Sequence, residues 1–423
     1  MRIVALTFGT EGDTRPMVAL SRGLLDAGYD LTLLAERSGA SYAAALGVPF
    51  VPLAGDMAEA MRDAAAGLTH RGADVHDVAR TLAAIANANA AAWMRATLEH
   101  ARGADVILAA GLAIYVGLSG AETLGIGVIG IGLQPMMPTR AFASPFLPPL
   151  RLPGVLNRAS HALVLAMMWR AFRRAINDAR RIVAGAPPRT HAWDGYPVLL
   201  GISPTLVPRP DDVSDDIAIT GYWFAPHDLA FVPDAALVEF LAAGDAPIYV
   251  GFGSMLGFDR DQVLRVVLEA LDGRRALLHE GWSGFADGEL PAHVHRVGHV
   301  PHDWLFPKTT TIVHHGGAGT THTAARAGVP SVVLPFAADQ FFWAKRLESA
   351  GVAPPMLPHR KLTGTRLRER LALADTLAMR RRARAIGNAI AAESGVANAV
   401  AQIDAYFSAY VRAGSSCSAS RTQ

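Results

Sequence analysis

The segment HHGGAGTTHTAARAGVP, residues 314–330, gathers groups suited to binding chemistry. Gly316, Gly317 and Gly319 follow two histidines and precede a helix-forming run from Thr321 to Ala327. A helix N-terminus leaves backbone N–H groups unpaired, and its aligned peptide dipoles make that end positive. Glycines there let anion oxygens come close to the backbone. Thr320 and Thr321 add hydroxyls and His315 adds a ring N–H, so the segment predicts a phosphate site. A glycine turn selected only for tight strand–helix packing would look the same. His314, His315 and His322 also raise a metal site. Adjacent strand residues point to opposite faces and no acid or thiol lies nearby, so no metal is expected.

Two aspartates stand where ligands bind. Asp13, in GTEGDTRP, follows the first strand and precedes a helix; Asp339 follows SVVLPF in the same way. In open α/β sheets, ligands sit outside such strand ends. An aspartate there is either a functional carboxylate or a helix cap. A free Asp, with a pKa near about 3.9, is ionised at neutral pH and is a weak base. Asp211, Asp212, Asp215 and Asp216 read as a solvated linker, and Arg380, Arg381, Arg382 and Arg384 as a solvated helix face.

The elements that position these residues are α/β. RIVALTF (2–8), DLTLLAE (30–36), VPFVPL (48–53), DVILAA (105–110) and IGVIGIG (126–132) are apolar runs separated by helical stretches. PIYVGFGS (247–254), RALLHEG (275–281), VHRVGHV (294–300), TTIVHHGG (310–317) and SVVLPF (331–336) repeat the plan. Runs without polar alternation read as strands buried on both faces of a parallel sheet. Intervening helices imply doubly wound, Rossmann-like units. The reading is two domains: 1–215, a linker at 216–245, and 246–390. A helix at 391–412 follows, then a disordered tail at 413–423. Residues 140–190 interrupt the first domain as a helical insertion. It reads as one or two amphipathic helices, either a helical pair packed on that domain or an acceptor-side or membrane-touching element with Arg170, Arg173, Arg174, Arg180 and Arg181 on its polar side.

Composition narrows the classes. The chain has 423 residues, 51% hydrophobic and 18% charged, which suits two globular domains. A net charge of +2 gives no reason to expect nucleic acid. Cys417 is the single cysteine, which excludes a disulfide framework and suits a reducing cytoplasm. No apolar run approaches the roughly 20 residues that span a bilayer, though peripheral membrane contact stays open.

VPHDWLFPKTTTIVHHGGAGTTHTAARAGVPSVVLPFAADQFFWAKRL (300–347) resembles the donor-binding signature of family 1 glycosyltransferases, above all the sterol glucosyltransferase branch and bacterial enzymes that glycosylate antibiotics and lipids. GTEGDTRPMVALSRGLLDAGYDLTLLAE (9–36) resembles their N-terminal signature. The resemblance implies the GT-B architecture, two facing doubly wound domains with a cleft between. It implies inverting, metal-independent transfer of a hexose from a UDP or dTDP sugar to a hydroxyl of a sterol, terpenoid, lipid or polyketide, with no cofactor. It assigns Asp13 as the base. Donor contacts fall on Ser254, Val300, His302, His315, Gly317, Gly319, Thr320, Asp339 and Gln340. Phe142, Phe146, Met168 and Trp169 are expected to wall the acceptor pocket.

The sequence departs from the plant pattern where a base-stacking Trp is replaced by His299 and a ribose-binding Glu by Thr323. Many relatives carry a catalytic His at the position of Asp13, with an Asp after a later strand to orient it. Here that strand ends LAAG (108–111), which fits Asp13 acting directly. An epimerase of the same fold and a non-catalytic nucleotide-binding helper are the rival readings.

Overall fold

The computed structural model describes all residues except 67–74, 149–151, 226–230, 254, 256–257, 280, 282–288 and 420–423. For 64–66, 75–78 and 409–419 it describes the backbone alone. The first sheet contains β1 (Arg2–Leu6), β2 (Asp30–Glu36), β3 (Phe50–Leu53), β4 (Val106–Ala110), β5 (Gly127–Gly132), β6 (Val198–Leu200) and β7 (Ile217–Ile219). Its order is β3-β2-β1-β4-β5-β6-β7, with every pairing parallel. The second contains β8 (Ile248–Gly251), β9 (Ala276–His279), β10 (Val294–Val297), β11 (Thr311–His314) and β12 (Ser331–Val333). Its order is β10-β9-β8-β11-β12, again parallel. Strands β4, β8 and β11 are buried along their whole length, as their unbroken apolar runs require.

The two sheets share a plan. Strand order reverses between β1 and β4 in one, and between β8 and β11 in the other. Loops diverge at such a reversal and leave a crevice at the carboxyl ends of the strands. Asp13 follows β1 and the glycine turn follows β11, so each domain delivers one motif from its own crevice.

The structure departs from the sequence reading in two places. Strand β7 lies inside the expected 216–245 linker but belongs to the first sheet, while the helix Ala235–Ala242 buries Leu237 with Tyr249, Leu277 and Ile312 of the second domain. Three-residue strands such as β6 and β7 are too short to show a period. Of the one or two helices allowed for the insertion, the structure shows one, Gly154–Ala179, which ends in a widened π turn at Arg180–Ala184. The last helix, Gly395–Ala419, runs into the expected tail, where the Ala-containing sequence has no proline to stop it.

That last helix returns to the first domain. Ala399, Ile403 and Phe407 are buried with Met17, Leu20 and Leu24. A second cluster joins the domains directly, packing Met137, Leu206 and Val207 against Trp343, Leu347 and Ile390. Polar contacts fix the joint. Glu393 Oε1 accepts from the Ser203 and Thr205 hydroxyls, each at 2.7 Å, and Arg346 Nε donates to the Leu206 carbonyl at 2.9 Å. Among the described residues no helix is long and apolar enough to cross a membrane.

Candidate active site

Asp13 is the third residue of the helix Glu11–Asp26. Thr10 N donates to its Oδ2 at 2.9 Å, and the Thr10 hydroxyl donates to the same oxygen at 3.3 Å. The carboxylate folds back over Gly9, where a Cβ would stand 2.2 Å from Oδ2. Asp13 is therefore a cap through one oxygen, and its Oδ1 has no hydrogen bond among the described residues. Burial pushes its pKa up to about 6, against the opposing Thr10 bonds. Above that pH it is a carboxylate, and a stronger base than a free aspartate.

The glycine turn caps the helix Ala318–Arg326 at Gly317. Gly316 has φ 93°, a conformation that disfavours any side chain. His315 is buried between Gly253 and Gly317; a Cβ on Gly317 would lie 2.5 Å from its Nε2. Burial lowers its pKa to about 4, so at neutral pH the ring is neutral and donates one N–H. Its Nδ1 is buried without a partner among the described residues. Gly319 and Thr320 are partly exposed in the first turn of the helix. Thr321 is buried, and Thr323 donates its hydroxyl to the Gly319 carbonyl at 2.9 Å. Thr323 thus serves its own helix.

Asp339 enters from the loop after β12, behind Ala338 at φ 52°. A non-glycine residue in that region is strained and persists where the surroundings over-determine it. Asp339 Oδ2 accepts from Trp343 Nε1 at 3.0 Å. Burial raises its pKa to about 6; the Trp343 bond opposes the rise, and the charge of Asp13 adds to it. Gln340 spends its Oε1 on the same loop, accepting from Phe336 N at 2.7 Å and Ala337 N at 3.1 Å. Its amide nitrogen lies 3.1 Å from Met255 Sδ, so NH2 is the part left to meet a ligand.

At the mouth, Arg15 Nη2 lies 3.2 Å from His299 Nε2, across the two domains. The guanidinium also pairs with Glu11 at 3.0 Å and lies over Tyr42 at 5.0 Å. These residues, with Thr14 and Ser38, line a cavity of about 270 Å3. His302 lies deeper. Its Nε2 is 3.1 Å from the Tyr249 hydroxyl, its ring stacks on Phe306 at 4.4 Å, and burial lowers its pKa to about 3. Val300 packs against the same cluster. His302 and Val300 thus support the loop that presents His299. Ser254 lies outside the described residues.

Tyr222 was not singled out by the sequence reading. It sits in GYWF (221–224), whose surroundings read only as a turn-rich boundary. Its hydroxyl would stand 3.2 Å from a Cβ on Gly319, and its ring stacks on His322 at 4.3 Å. Burial raises its pKa, and the charge of Asp13 raises it further. His322 Nε2 in turn accepts from Ser203 N at 3.2 Å, which ties the phosphate-turn helix to the first domain.

The expected acceptor wall is divided. Phe142 lies between His161 at 5.9 Å and Phe342 at 5.2 Å, so it bridges the domains. Phe146 is half-buried. Trp169 lies in the core of the first domain, 5.2 Å from Tyr115, with Nε1 donating to the Thr190 carbonyl at 3.0 Å. Met168 packs at the edge of that core. Among the described residues no group of three His, Cys, Asp or Glu side chains converges as a metal site would.

A family described as "Erythromycin biosynthesis protein CIII-like, C-terminal domain" matches residues 271–405. A sterol 3-beta-glucosyltransferase of Debaryomyces hansenii is 32% identical over 94% of the chain, which covers 26% of that relative. The chain spans about a quarter to a third of the first fungal relatives it matches. Sterol 3-beta-glucosyltransferase UGT80B1 of Arabidopsis thaliana is 31% identical over 95% of the chain and 67% of the relative. Among solved structures, the glycotransferase of kitacinnamycin aligns with a TM-score of 0.69 at 20% identity, covering 95% of this chain and 98% of that one. Glycosyltransferase VinC in complex with DTDP aligns at 0.66, also at 20% identity, covering 95% and 98%. These solved structures share the two-domain fold. With the Arabidopsis relative matched over two thirds of its length, the chain belongs to the glycosyltransferase family that includes the sterol 3-beta-glucosyltransferases.

Proposed function

We propose that this chain transfers a hexose from a UDP or dTDP sugar to a hydroxyl of a lipophilic acceptor, with inversion at the anomeric carbon and without a metal. The observation that carries this reading is the glycine turn at the N-terminus of the helix Ala318–Arg326, with the buried His315 ring packed between Gly253 and Gly317 and its Nδ1 without a partner among the described residues. The turn and the His315 N–H would hold the diphosphate. Asp339 and the Gln340 NH2 would hold sugar hydroxyls. Asp13 would take the proton of the acceptor hydroxyl as its oxygen bonds to the anomeric carbon. The bond from that carbon to phosphate oxygen breaks, and the electron pair leaves with the nucleoside diphosphate. The growing negative charge meets the helix dipole and backbone N–H groups. In-line displacement inverts the centre.

The sterol named in the relatives supports a bulky apolar hydroxyl as acceptor. The thymidine diphosphate named with VinC and the spinosyn rhamnosyltransferase SpnG keeps dTDP beside UDP as donor. Incubating the protein with UDP- and dTDP-glucose and a sterol, with and without EDTA, tests the proposal. Acceptor-dependent release of nucleotide, insensitive to EDTA, with a β-linked product from an α-linked donor, is expected. Conversion of the donor to its epimer without acceptor would favour the epimerase. Nucleotide binding with no turnover would favour the helper.

A further inference from the structure

The helix Gly154–Ala179 turns an unusual face to solvent. Val155, Leu156, Leu163 and Met167 are 69%, 52%, 55% and 59% exposed, with Ala159 and Ala166 exposed between them. At about 100° per residue these six side chains fall within an arc of about 120°. The same arc continues toward the C-terminus as Arg170, Arg173 and Arg174, all exposed. None of the three has an ion-pair partner among the described residues, whereas Arg158 pairs with Asp212 at 3.9 Å and Arg181 with Asp178 at 3.6 Å. The opposite side of the helix buries Trp169, Phe172 and Ile176 in the domain core, so the helix is anchored and its outer face rigidly displayed.

We infer that this face docks on the surface of a membrane containing anionic lipids. Exposed large apolar side chains grouped on one face mark an interaction site. The apolar half covers about 18 Å of helix, enough to lie at the headgroup–acyl boundary and too short to span. The three arginines follow where the helix would rise to the phosphate layer, and their long stems let the guanidinium groups reach it. Charge selects this occupant over a second copy of the chain. Self-association through the face would bring the same unpaired arginines together, or set them on the partner's apolar half. A lipophilic acceptor dissolved in such a membrane would then meet the protein at its own surface. That use rests on the transferase reading; the docking does not.

Vesicle co-sedimentation of the full chain tests it without donor or acceptor, so its outcome is separate from that of the transferase assay. The expected result is binding to phosphatidylcholine vesicles containing phosphatidylglycerol, weak binding to phosphatidylcholine alone, and release by salt. Reversing the triple charge in R170E/R173E/R174E should weaken binding by about 100-fold, from about 1 kcal/mol per basic residue at the surface. L156D/L163D should weaken it by at least about tenfold. Both variants should keep the wild-type Tm and nucleotide diphosphate affinity. Equal binding to the two vesicle types, or variants that bind like wild type, would overturn the inference. So would a lipid-free dimer that L156D/L163D dissociates, which would assign the face to a second copy.

Discussion

Arg15 of the first domain and His299 of the second meet at 3.2 Å through Nη2 and Nε2, at the mouth of the cleft. A guanidinium can only donate, so His299 accepts here through an unprotonated nitrogen. His299 is exposed on the loop held by His302 and Val300, where the family resemblance puts the nucleobase. If the base stacks there, His299→Ala should weaken nucleoside diphosphate binding by about 1–3 kcal/mol, the range for base–aromatic stacking. His299→Trp should restore or improve it. Calorimetry with UDP and dTDP reads both. Unchanged affinity in the alanine variant would move the base elsewhere.

His315 offers a cleaner case because burial keeps its ring neutral. His315→Ala removes one donor to a charged phosphate and should cost about 1.5–3 kcal/mol of nucleotide diphosphate affinity. The fold should survive, since the ring lies between two glycines at the cleft. Wild-type affinity by calorimetry would mean that the backbone turn alone binds the anion.

Buried histidines set the acid limit of stability. Burial lowers His302 and His314 to about 3, and His315 and His322 to about 4. Their native pKa values lie below the unfolded value, so their contribution is full above about pH 6.5 and is lost as pH falls toward 4. Asp13 and Asp339, raised to about 6, act oppositely: protonation relieves their burial as pH falls from 6 toward 4. Four groups outweigh two, so Tm should fall steadily between pH 6.5 and 4.5. His322 adds a structural consequence, because its protonation would end the bond from Ser203 N that joins the domains. A flat Tm across that range would contradict the burial of these rings.

Trp169 was expected at the acceptor wall, and its position makes a different outcome the expected one. Its ring is buried with Tyr115, Phe172 and Trp193, and its indole N–H is paired. Trp169→Ala should cost about 3–5 kcal/mol of stability, seen as a lower denaturation midpoint. Phe142→Ala should instead loosen the contact with Phe342 between the domains. A stable Trp169→Ala protein with altered acceptor preference would return Trp169 to the pocket.

The fold is legible in the sequence where patterning reports packing. Long apolar runs found β1, β2, β4, β8 and β11 because strands buried on both faces need them. Strands β6 and β7 escaped because three residues carry no period. Motif residues were legible as positions but not as partners. GTEGD placed Asp13 at a strand end, yet nothing in its spelling shows Oδ2 spent on Thr10 and Oδ1 left over. Tyr222 and Arg15 were missed because their neighbours, Gly319 and His299, are about 100 and 280 residues away in sequence. The direction of Met168 and Trp169 depended on which face of the helix the core would claim.

Asp13 is the sharpest test of the chemistry. Its carboxylate is held by one oxygen and has a pKa raised to about 6 by burial. As the base in the free enzyme it would be active when ionised, so kcat/KM should rise through about pH 6 and level off above it. Asp13→Asn keeps the shape and an acceptor for Thr10 N, but removes the basicity. Turnover should fall by roughly 10²–10⁴-fold, with donor affinity near wild type. The same change should raise Tm at pH 7.5, because it removes a buried charge from the native state. The gain should shrink as pH falls from 6 toward 4, where the wild-type carboxyl is itself protonated in the folded protein. A stabilised variant that has lost turnover would show a carboxylate kept for chemistry at the expense of stability. Most of the turnover surviving in Asp13→Asn, with bond formation rate-limiting, would leave Asp13 as a helix cap and put the base elsewhere in the cleft.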